Sequence, residues 1–198
     1  TPATLPASPG PGTVDVTLKG TLPGGKKIQV NVLLVDNVST ASTTFYNRYE
    51  ELSTAADVIM YNGHAGLGQN VRALAQKGRF VAGKYVIVWM NGCDTYAYVD
   101  GSLAQKRAAL NPDDPTGTKY MEIITNGMPS YFHSNSRAVM AMINGLLAFD
   151  SPKTYEQIFK NALTAQVVRV TGANDNVYSP GYAPGGVPPP TPTTWAGL

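Results

Sequence analysis

The sequence predicts an α/β fold built on a largely parallel β-sheet. Three observations carry that expectation. Short apolar blocks of strand length recur at residues 57–61, 85–90 and 120–125. Segments with apolar residues at helical spacing separate them. The blocks are nearly continuous in apolar character rather than alternating, the pattern of strands covered on both faces.

The elements follow in order. Residues 1–12 carry Pro2, Pro6, Pro9 and Pro11 and read as an extended leader. Val14-Asp-Val-Thr-Leu alternates like a strand, Pro23-Gly-Gly-Lys supplies a turn, and 28–35 alternates again, so the two strands make a hairpin. Ser39 or Thr43 is placed to cap a helix that runs to about Leu52, with Phe45, Tyr49 and Leu52 on one face. Val71, Leu74 and Ala75 predict a short helix stopped by Gly78. Helices are expected over 136–149 and 155–165, and a last strand over 167–170. The domain is therefore bounded at 13–178. A Pro-rich tail, 179–198, cannot be a helix or a central strand and is expected to lie on the surface through Tyr182 and Trp195.

Bulk properties exclude several functions. A chain of 198 residues supports one domain with a real core. A net charge of +2 is too mild to argue for nucleic acid or an anionic membrane. No apolar run approaches the about 18 residues that a membrane span needs. Charged residues make up 14 % of the chain, against about 25 % in an ordinary domain. Thr, Ser, Asn, Gly and Pro fill the deficit, and this points to a secreted, periplasmic or cell-surface protein. The chain starts without Met, which fits a processed N-terminus. One cysteine allows no intrachain disulfide and no cysteine-rich zinc site. A lone thiol kept outside the cytosol is either buried or useful.

Two strands end alike. Val58-Ile-Met-Tyr-Asn-Gly-His64 matches Ile87-Val-Trp-Met-Asn-Gly-Cys93: four apolar residues, Asn-Gly, then a reactive side chain. In an open parallel sheet, ligands bind beyond the carboxyl ends of the strands. If these strands are neighbours, His64 and Cys93 enter one crevice, and the intervening chain has room for one crossover helix. A thiol with an ordinary pKa of about 8.5 is mostly protonated at neutral pH. An adjacent imidazole takes its proton and later returns one to a leaving amine. Glycine-rich turns leave approachable N–H groups for an oxyanion, and Gly66 and the Cys93 amide are the candidates. The plain alternative is a buried structural cysteine beside an ordinary turn.

An apolar block ending in His-Gly, followed by one ending in a nucleophilic Cys, resembles the caspase-like clan of cysteine peptidases. Gly63-His64-Ala65-Gly66 and Asn91-Gly92-Cys93-Asp94 are most similar to its bacterial, clostripain- and gingipain-like members, and the resemblance spans 28 to about 165. It implies a three-layer αβα sandwich, His64 as base, Cys93 as nucleophile, a peptide or protein substrate and no cofactor. The segment after the next strand would form the primary specificity pocket, making Asn126, Met128 and Tyr131 candidate pocket residues. Asp94 is placed to select a basic substrate side chain through a charge-assisted bond, or simply to cap its own turn.

The remaining candidates read as structural. His133 is expected to be a surface residue opening a helix, although it could line the same crevice. Tyr96 and Tyr98 either wall a groove or pack a loop. Asn111-Pro-Asp-Asp-Pro-Thr-Gly and Gly172-Ala-Asn-Asp-Asn offer oxygen ligands for Ca²⁺ but lack the EF-hand pattern, so solvated turns are expected. No phosphate-binding Gly-x-x-x-x-Gly-Lys-Ser/Thr run occurs. Two functional expectations result: a cysteine endopeptidase working through a thioacyl intermediate, or an inactive extracytoplasmic binding or structural domain on the same fold. Oligomeric state and cleavage specificity are not encoded in any local pattern.

Overall fold

A computed structural model describes residues 15–160 and 167–172. Strands β1 (Asp15–Thr21) and β2 (Lys27–Leu33) form the expected antiparallel hairpin, a two-stranded sheet of its own. Its turn uses Gly24 and Gly25 at φ 82° and 81°, a conformation that favours glycine. An Arg48–Asp15 ion pair of 2.5 Å ties the hairpin to helix α1 (Thr43–Ala55). Lys26 adds a contact over the Phe149 ring, 4.0 Å from its centre.

The main sheet contains β3 (Val58–Asn62), β4 (Val86–Asn91), β5 (Met121–Asn126) and β6 (Val168–Thr171), in that order. The first three run parallel, and β6 pairs antiparallel with β5. The sheet is thus mixed. Helix α2 (Gln69–Lys77) is the single crossover between β3 and β4. Helix α3 (Ser102–Leu110) follows β4, α4 (Phe132–Leu146) follows β5, and α5 (Tyr155–Phe159) precedes β6.

Strand alternation divides the core. Val86, Val88 and Met90 of β4, with Met121 and Ile123 of β5, face Tyr49, Val71, Leu74, Ala75 and Leu103 of α1, α2 and α3. Trp89 and Ile124 face the other way, against Ala138, Met142, Ile158 and Phe159 of α4 and α5. Helices therefore cover both faces of the sheet, which explains why β4 and β5 are buried along almost their whole length. Among the described residues, no helix is long and apolar enough to cross a membrane.

Several expectations are corrected in detail. The α1 cap is Ser42, whose Oγ accepts from the Phe45 amide at 3.2 Å. Ser39 instead bonds to Asn37 and Asn70, and Thr43 is the first helical residue. Helix α4 starts at Phe132, before the expected 136, because its first turn carries no apolar period: its one large apolar residue, Phe132, is exposed and its buried residue is Asn135. It ends at Leu146, short of 149. Helix α3 had no sequence assignment: its inward residues are Leu103 and Arg107, and the arginine breaks the apolar pattern. The leader, residues 161–166 of the expected 155–165 helix, the second Ca²⁺ candidate beyond Gly172, and the tail with Tyr182 and Trp195 lie outside the described residues.

The edge of the sheet where the parallel strands begin is fastened by buried polar groups. Arg107 is 1 % exposed and donates to the carbonyls of Val81, Lys84 and Tyr120. Asn111 accepts from the Gly83 amide at 2.6 Å and donates to Arg107 O at 2.8 Å. Burial lowers the Arg107 pKa, and the nearby Asp114 carboxylate opposes that. Asp114 is itself occupied in a turn, accepting from Thr116 Oγ1 and the Gly117 amide. This loop, the first Ca²⁺ candidate, is closed on its own side chains.

Candidate active site

The strand ends meet in register. Asn62 lies opposite Asn91, and every β3–β4 pair has the same offset of 29 residues. His64 and Cys93 share that separation and stand at equivalent points, two residues beyond the paired asparagines. The Gly63 amide donates to the Asn91 carbonyl at 3.2 Å, continuing the strand pairing. Gly92 is needed at this point: a Cβ there would lie 2.6 Å from the Gly63 carbonyl oxygen. The two chains pass too closely for any side chain.

The sequence contains a third matched end. Strand β5 closes on Asn126-Gly127-Met128, so all three parallel strands finish in Asn-Gly. The asparagines form a ladder across the sheet. Asn126 Nδ2 donates to Asn91 Oδ1 at 2.7 Å, and Asn91 Nδ2 donates to Asn62 Oδ1 at 2.8 Å. Ser130 Oγ joins at 3.2 Å to Asn91 Oδ1 and 2.8 Å to Asn135 Oδ1. Asn135, in the first turn of α4, also accepts from Asn91 Nδ2 at 3.4 Å. This network couples β3, β4, β5 and α4 where the parallel strands end. Asn62, Asn91, Ser130 and Asn135 gain a role that sequence reading missed. The repeated Asn-Gly was the available signal, but it reads first as a turn.

Both reactive side chains face the start of α4. Asn62 and Asn91 lie on the α4 side of the sheet, and the turns beyond them bring His64 and Cys93 against residues 130–132 at the start of α4. Cys93 is half-buried, and its thiol donates to the Ser130 carbonyl at 3.3 Å. His64 is exposed, and the Phe132 ring stands edge-on to its imidazole with centres 4.9 Å apart. Residues 130–132 thus touch both members of the pair. Among the described residues, the thiol's hydrogen bond goes to the Ser130 carbonyl and not to His64.

The His64 turn is held from behind. Its carbonyl accepts from Tyr61 Oη at 2.7 Å and from Asn70 Nδ2 at 2.8 Å. Partial burial raises the Tyr61 pKa, and the Asn70 hydrogen bond offsets this in part. Gly66 has φ 61°, and a Cβ would sit 3.2 Å from Asn70 Nδ2, so this turn also favours glycine. Neither the Gly66 nor the Cys93 amide donates to a backbone carbonyl among the described residues.

The expected pocket residues separate into two groups. Met128 and Tyr131 are on the surface beside Cys93, at 43 % and 52 % exposure. Asn126 is fully buried and committed to the ladder, so it supports the loop from beneath instead of lining it. Asp94 is half-buried with φ 50°, and its amide donates to the Met128 carbonyl at 3.2 Å, joining the loops after β4 and β5. His133 is an exposed residue in the first turn of α4 and stacks on Tyr131 with ring centres 5.6 Å apart. Tyr96 and Tyr98 fall in a single 3₁₀ turn, Tyr96 exposed and Tyr98 packed on the core. Among the described residues, no group of three or more His, Cys, Asp or Glu side chains is placed to hold a metal ion. No family model, curated protein or solved structure matches the chain.

Proposed function

We propose that this protein is a cysteine endopeptidase of caspase-like αβα architecture, acting outside the cytoplasm. One observation carries the reading: His64 and Cys93 hold equivalent positions past the register pair Asn62–Asn91, beyond the carboxyl ends of two neighbouring parallel strands, where ligands bind in such sheets. In the reaction, Cys93 Sγ attacks the substrate carbonyl carbon and a C–S bond forms. The thiol proton passes to His64, which delivers it to the departing amine as the C–N bond breaks. Water then hydrolyses the thioester, with His64 accepting its proton, and the free thiol is restored. The amides of Gly66 and Cys93 face the developing oxyanion.

A peptidyl electrophile that alkylates thiols tests the reading. Wild type should label at one site, Cys93→Ala should not label, and His64→Ala should label at least ~100-fold more slowly, the usual value of general base assistance. Equal labelling of wild type and Cys93→Ala would overturn it. The second reading, an inactive binding domain, is favoured by the thiol's bond to Ser130 in place of His64. It predicts that iodoacetamide modifies Cys93 at pH 6 at a rate indifferent to His64→Ala.

A further inference from the structure

We infer that the site takes polypeptide with a bulky apolar or aromatic side chain next to the reacting carbonyl, in preference to a charged one; this rests on the reading of Cys93 as the reactive centre. The loops that surround the dyad are built for apolar contact. Residues 63–69 and 127–136 contain no Asp, Glu, Lys or Arg. Leu67, Met128, Tyr131 and Phe132, all on these loops, are among the large apolar side chains left exposed, at 80 %, 43 %, 52 % and 63 %. Val167, at 48 % exposure, adjoins them, because its carbonyl accepts from the Gly127 amide at 2.7 Å. Single exposed apolar residues are normal, but several gathered around one reactive pair mark a binding surface.

The arrangement also places this surface relative to the chemistry. Phe132 touches the His64 ring, and two residues earlier the Ser130 carbonyl touches the thiol. A side chain adjacent to a carbonyl over Cys93 therefore meets Met128, Tyr131 and Phe132. The one acid beside the nucleophile, Asp94, is in a left-handed turn whose amide binds Met128 O, a backbone contact that joins the two loops; its carboxylate is the competing feature that an Arg peptide tests.

The test separates binding from chemistry. Fluorescein-labelled octapeptides, identical except for Leu, Phe, Arg or Glu at one central position, are titrated into the full-length Cys93→Ala protein and followed by anisotropy. The Leu and Phe peptides should bind on the order of ten-fold more tightly than the Arg and Glu peptides, the usual worth of a filled apolar contact. Phe132→Ser in the same background should remove most of that gap. Phe132 is exposed, so the melting temperature should hold. If it falls, Met128→Ser supplies the same comparison. An Arg peptide that binds as well as Leu, or an advantage that survives both truncations, overturns the inference. Apolar preference without probe labelling of wild type would count against the peptidase reading alone. Labelling without apolar preference would count against the present inference alone.

Discussion

At Gly92 one absent carbon decides whether two strand ends can meet. A Cβ would lie 2.6 Å from Gly63 O and 3.2 Å from Thr95 Cγ2, against backbone on one side and a buried threonine on the other. Gly92→Ala should therefore push β3 and β4 apart at the point that sets the His64–Cys93 geometry. The expected cost is about 1–3 kcal/mol of stability, typical of overpacking, measured by urea unfolding. Probe labelling of Cys93 should fall by more than that instability explains. That the ends of β3 and β4 lie side by side was legible in the sequence because the two ends repeat the same pattern at one spacing. The ladder was not, since Asn62, Asn91 and Asn126 satisfy one another across strands and nothing local reveals a partner 29 or 35 residues away.

Helix α3 shows how an element is held without an apolar stripe. Its Lys106 donates to the Gln76 carbonyl at 2.6 Å and to the Gly78 carbonyl, so a charge on α3 caps the end of α2. Partial burial lowers the Lys106 pKa, the sign expected of a cation drawn into a helix interface. Lys106→Met keeps the stem near Phe80 and removes the donors. It should lower stability by about 1 kcal/mol, read as an earlier urea midpoint with an unchanged slope. Elements with a run of apolar residues, β4 above all, were predictable to within a residue. Elements whose inward side chains are polar were not: α3 buries Arg107, and the first turn of α4 buries Asn135. The antiparallel direction of β6 was also hidden, because a strand's own sequence does not encode which way its neighbour runs.

Over the whole molecule, acid sensitivity should trace to turns remote from the dyad. Hydrogen bonds from Lys119 and Tyr120 hold the Asp113 carboxyl below its ordinary pKa of 3.8. The Ser102 side chain and amide do the same for Asp100. A carboxylate whose pKa is depressed by folding adds stability that is present above the unfolded value and lost as pH falls through the folded one. The melting temperature of wild type should therefore exceed that of Asp113→Asn above about pH 5 and converge on it as pH falls below about 4, which makes the variant's acid limb the flatter one. A flattened limb absent from that variant would assign the acid response to other groups. The buried Arg107–Asn111 fastening completes this division of labour between the two edges of the sheet. One edge is locked by a guanidinium wedged beneath three carbonyls. The other bears His64 and Cys93 on loops joined to one another through Asp94 N–Met128 O and Cys93 Sγ–Ser130 O. For protein engineering, this makes the loops after β3 and β5 replaceable parts. A grafted loop keeps its footing wherever the three asparagines remain, and new chemistry can be tried there without rebuilding the scaffold.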